Sequence, residues 1–162
     1  MALSALFAAL TVMILYFASI WPTGRVGLVA AASMFTAAAV IEAGVPSGAY
    51  VFIISSALGM LIIPNRSSPI LYMLFFGYYP VIKSLVERIG NVAAQWALKL
   101  LAFNISLTVA WFLLRELVLG QYADIPGAVV IYLGGNAVFA LFDYGFTKLI
   151  WFYLDRVKRL SK

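Results

Sequence analysis

The sequence contains no cysteine and no histidine. That removes disulfide frameworks, thiol nucleophiles and the usual zinc and haem ligand sets, and no cofactor is expected. Charge is scarce as well: 10% of the 162 residues are Asp, Glu, Lys or Arg, where soluble domains carry about 25%. Apolar residues make up 65%, against about 45–50% in a soluble domain. So little charge leaves no solvated surface, and the composition implies an all-α integral membrane protein. The formal net charge of +5 does not imply a nucleic-acid partner, because no soluble element offers a basic face for phosphates. Arg156, Lys158, Arg159 and Lys162 supply most of the excess. They follow an apolar segment directly, as a cytoplasmic membrane flank does.

A catalytic set is also missing. There is no nucleophile elbow and no metal-ligand constellation, and Gly44/Gly48 and Gly134/Gly135 lie where helices must turn or touch, not in a phosphate cradle. The expectation is therefore a protein that is not an enzyme.

Six stretches are long enough to cross a bilayer, which takes about 20 mostly apolar residues. They cover about 2–21, 25–43, 47–63, 68–88, 91–119 and 127–154, punctuated by Gly, Pro and Asn. The chain reads as a single transmembrane helical domain over 1–162, a six-helix bundle of the cell membrane. Residues 2–21 have no basic segment ahead of them and read as a retained span rather than a signal peptide. Six spans put both termini on one side, and the basic tail makes that side cytoplasmic. Trp21, Trp151 and Tyr153 suit an interfacial aromatic belt, and Glu42 reads as solvated or paired.

The polar groups inside these spans are the candidate site, since a charge at a helix centre costs about 2.5–3.5 kcal/mol on insertion scales. Tyr72, Tyr79 and Lys83 are spaced to share a helical face. Pro80 has no N–H for the carbonyl of Phe76, so a bend is expected there. Folding the fifth and sixth helices back about a loop at Gly120–Pro126 sets Lys99 level with Asp143 and Ser106 level with Asn136. The same construction sets Lys83 level with Lys99, while Asn104, Thr108 and Arg115 form a second stripe. The candidate ligand-binding residues are Tyr72, Tyr79, Lys83, Lys99, Asn104, Trp111, Asn136 and Asp143. A structural Lys99–Asp143 bridge is the alternative account of the same charges.

Two motifs carry a resemblance. Ala5-Leu6-Phe7-Ala8-Ala9 is similar to the small-residue patch of the S components of energy-coupling factor transporters. Gly44-Val45-Pro46-Ser47-Gly48, leading into Ala49-Tyr50, is similar to that family's Gly-Pro-Gly turn before the third helix. The six-helix plan also resembles the family, although the loop from Pro22 to Arg25 is shorter than the family's. Tyr78-Tyr79-Pro80-Val81-Ile82-Lys83 further resembles a group of small, uncharacterised Firmicute membrane proteins related to S components. The resemblance implies a subunit that binds a vitamin-like small molecule for uptake, with a scaffold transmembrane subunit and ATPases as partners. It also implies that Ala5 and Ala9 form the docking face on that scaffold. The remaining readings are a structural or assembly subunit and an ion-coupled carrier.

Overall fold

A computed structural model describes residues 2–21, 23–118 and 128–160, with the side chains of 113–118, 128 and 157–160 left out. Among the described residues there are helices and no strands. Six helical segments among the described residues are long and apolar enough to cross a membrane: α1 (Ala2–Ile20), α2 (Arg25–Ala43), α3 (Val45–Ile62), α4 (Ser67–Val86), α5 (Val92–Val118) and α6 (Ala128–Leu160). Pro22, the turn at Gly120–Pro126 and the side chain of Arg115 lie outside the described residues. By contact density the chain divides into two compact units, Met1–Lys99 and Leu100–Lys162.

In the first unit α1, α2 and α3 pack against one another and α4 touches all three. Small residues make this possible: Ala32, Ala37, Ala38 and Ala39 of α2 are buried, which lets neighbouring backbones approach closely. Gly48 marks the tightest crossing. A Cβ there would collide with Val40 and stand 3.3 Å from a Val81 methyl. Between α2 and α3 the connection is one residue, Gly44, at φ 85°, a left-handed backbone that glycine adopts without penalty. Its N–H bonds the carbonyl of Val40 at 2.9 Å, and α3 begins at Val45 with Pro46 in its first turn, where the missing donor is not needed. Leu15, Ala18, Val29, Ala32, Ile63 and Tyr72 form the main core, with Ala8, Ala39 and Val51 a second patch.

Helix α4 differs from the expected kink. The irregular turn comes before Pro80, at Tyr72–Phe76, where Gly77 N–H reaches back five residues to the carbonyl of Tyr72 at 2.7 Å. A regular helix then restarts at Tyr79, with Tyr78 O accepting from Val81 and Ile82. Pro80 thereby occupies a first turn, and its ring avoids the clash a continuous helix would impose. Phe52 and the Tyr72 ring lie against Gly77, where a Cβ would approach both at 2.6 Å.

Helix α5 is capped by Asn91, whose Oδ1 accepts from Ala93 N–H at 2.9 Å and Ala94 N–H at 3.3 Å. In the second unit α5 and α6 run antiparallel: Phe103 stacks on Phe139 at 4.7 Å, and Gly135 admits Leu107 and Phe103 against its backbone. Helix α6 continues to Leu160, beyond the expected end near residue 154. Charged residues beyond the apolar run remain helical there, and bases suit a helix C-terminus.

Candidate functional site

Among the described residues, the sequence candidates fall in or near three polar groups. The first surrounds the Tyr72 hydroxyl. It is 2.7 Å from the hydroxyl of Thr36 on α2, with Thr11 of α1 and Ser55 of α3 close enough to interact with it. All four side chains are fully enclosed. Each of α1 to α4 thus contributes one hydroxyl, which is how an apolar bundle satisfies a buried phenol. The hydroxyl of Thr11 also donates to its own helix, at the carbonyl of Phe7, 2.8 Å away.

The second group is ionic. Glu87 Oε1 accepts from Lys83 Nζ at 2.6 Å and from Lys99 Nζ at 2.8 Å. Lys83 and Lys99 are 2% and 4% exposed, while the carboxylate keeps 40% of its side chain open. Lys99 Nζ also stands 5.7 Å from the centre of the Trp96 ring. One carboxylate therefore draws together two lysines sixteen residues apart in sequence, one from α4 and one from α5, at the end of the α4–α5 hairpin. Tyr79, expected on the same face as Lys83, is buried but packs its ring on Phe75 at 5.0 Å.

The third group belongs to the second unit. Asn104 and Asn136 exchange amide hydrogen bonds of 2.9 and 3.1 Å, and each also donates to a carbonyl of its own helix. One turn further on, Thr108 and Tyr132 share a hydroxyl–hydroxyl bond of 2.6 Å. The expected register set Asn136 level with Ser106. Its partner is Asn104 instead, an offset of two residues or about 3 Å of helix rise. Ser106 Oγ donates to the carbonyl of Ala102. Of the remaining candidates, Asp143 is 3% exposed on α6 and Trp111 is half-buried on α5. Ala5 and Ala9 are exposed on α1. Ala9 borders an open apolar groove of about 460 Å³ with Val12, Met13, Tyr16, Phe17, Leu58 and Ile62.

Thr11, Thr36, Ser55, Glu87 and Tyr132 contribute to these groups but were not among the sequence candidates. Glu87 was signalled by its four-residue spacing from Lys83, which places the two side chains on one face. Thr36 and Tyr132 had no local signal, because each partner lies on another helix. Among the described residues no three acidic side chains converge as metal ligands.

Comparison of the chain with protein-family profiles, with curated proteins and with solved structures finds no match.

Proposed function

We propose that the chain is a non-enzymatic, multi-pass subunit of the cell membrane that binds a small molecule for uptake, in the manner of an S component, with a scaffold subunit and ATPases supplying energy. In this reading both termini face the cytoplasm, where the basic residues from Arg156 onward hold them. The observation that supports it most is the Lys83–Glu87–Lys99 group: two enclosed ammonium groups meet one carboxylate that stays 40% open. A solute carboxylate arriving on the open side of Glu87 could exchange with it for the lysines, making charge-assisted bonds of the same kind. Ala5 and Ala9 are exposed on α1, as a docking face on the scaffold requires.

The test is purification of the intact chain followed by native mass spectrometry for a retained small molecule, with co-purification of partner subunits. The reading expects a bound acidic solute that is lost when Lys83 and Lys99 are both replaced by Met, and a partner complex lost in Ala5→Trp or Ala9→Glu. An empty protein with no partner, unchanged by those substitutions, overturns it.

A second reading, a structural or assembly subunit, has one observation in its favour. The Asn104–Asn136 and Thr108–Tyr132 pairs satisfy one another and serve as a lock between α5 and α6. If it holds, replacing Asn104 and Asn136 together with Leu leaves function intact, and the partner-docking and solute assays stay blank.

A further inference from the structure

Tyr144, Lys148, Phe152 and Arg156 recur every four residues along α6, so they form one stripe up the helix. The two aromatics are 65% and 62% exposed, and both cations are exposed as well. Each cation leans back toward the helix N-terminus onto the ring one turn earlier: Lys148 Nζ is 5.6 Å from the Tyr144 ring centre, and Arg156 Cζ is 5.8 Å from that of Phe152. Among the described residues neither Lys148 nor Arg156 has a carboxylate partner.

The level of the stripe follows from helix geometry. From Val129 to Lys148 the helix rises about 28 Å, close to the roughly 30 Å of bilayer hydrocarbon. Lys148 therefore stands where apolar tails give way to headgroups. The helix then continues about 18 Å to Leu160, carrying Arg156 and the sequence's Lys158 and Arg159 through the headgroup layer. From Tyr144 onward the chain has five bases and one acid, Asp155. Aromatic rings at an interface with cations beside them match an anionic phospholipid in both its parts. The rings lie against the upper acyl chain and glycerol, and the ammonium and guanidinium groups meet the phosphate.

We propose that the exposed Tyr144–Lys148–Phe152–Arg156 stripe of α6 is a binding site for the phosphate headgroup of anionic phospholipid in the leaflet that this helix leaves. The site requires only that α6 crosses a bilayer and is independent of any transported solute.

The experiment presents the full-length chain in detergent with equal amounts of phosphatidylglycerol and phosphatidylcholine, and counts retained lipid by native mass spectrometry. Wild type should retain phosphatidylglycerol preferentially. The preference should fall roughly fivefold for each cation removed in Lys148→Gln and Arg156→Gln, and persist in Lys148→Arg with Arg156→Lys. Both substituted positions are exposed, and monodisperse elution with unchanged helical circular dichroism confirms folding. Wild type without a preference, or a Lys148→Gln/Arg156→Gln protein that keeps it, overturns the proposal. So does displacement of phosphatidylglycerol by millimolar inorganic phosphate, which would assign the site to a soluble anion.

Discussion

Glu87 pairs with two enclosed lysines, Lys83 and Lys99. Removing a partner from a buried charge is more damaging than the net worth of the pair, because the remaining charge keeps its desolvation penalty. Glu87→Gln should therefore lower stability in detergent by about 1–3 kcal/mol, read as a drop in the thermal unfolding midpoint. Its part-open side chain puts the effect toward the lower end. Adding Lys83→Met to Glu87→Gln should cost less than the sum of the two single changes, since either one already breaks the Lys83–Glu87 pair. Tyr72 gives a milder case. Tyr72→Phe should cost about 1 kcal/mol, because Thr36 can turn its hydroxyl toward a carbonyl of its own helix. The double replacement Tyr72→Phe with Thr36→Val should cost less than the sum of the two single changes. An additive double variant would mean that the 2.7 Å hydroxyl bond contributes little.

At the scale of elements, α4 is built around the place where it is least regular. Gly77→Ala would put a methyl group into the rings of Phe52 and Tyr72, and overpacking of that kind costs about 1–3 kcal/mol. Pro80→Ala should change stability by less than about 1 kcal/mol, because a first-turn proline sacrifices no intrahelical bond. Comparing the two thermal midpoints tests the irregular turn directly, and a larger loss from Pro80→Ala would contradict it. The difference also explains what could be read from residues alone. Five spans had visible punctuation at Trp21–Gly24, Gly44–Gly48, Pro64–Ser67 and Gly90–Asn91, and their observed ends fall within a few residues of it. Pro80 announced a disturbance in α4 but not its position, which is set by Phe52 reaching Gly77 from α3. The α5–α6 pairing was legible to half a turn from depth alone. Which polar side chain meets which depends on helix rotation, so depth alone set Ser106 level with Asn136 but did not pick out Asn104 as its hydrogen-bond partner. Helix α6 was underestimated because hydropathy marks where apolar residues stop, and a helix can continue past them.

For the molecule as a whole, the absence of native cysteine makes its disposition across a membrane directly measurable. Single cysteines at Thr23 and Asn65, which lie between α1 and α2 and between α3 and α4, should react with a membrane-impermeant maleimide from one side. Cysteines at Ala43 and Gly90 should react from the other. Reactivity of all four from the same side would contradict six crossings. Each compact unit contains polar pairs of its own, at Tyr72 and Glu87 in one and at the paired asparagines in the other. Apolar packing between helices gives little directional force in lipid, so such pairs fix rotation and register. By double-mutant cycles an interhelical hydrogen bond in a membrane averages about 0.6 kcal/mol. Asn136→Leu alone should therefore shift the unfolding midpoint only slightly, while broadening the transition if α5 and α6 lose their shared register.

If α2 and α3 cross a bilayer, the single-residue joint at Gly44 couples their entry. With one residue to turn on, the pair should insert as a closed hairpin rather than one helix at a time. A few flexible residues spliced in at that point would uncouple the two insertions, and half-inserted chains would accumulate as prey for membrane proteases.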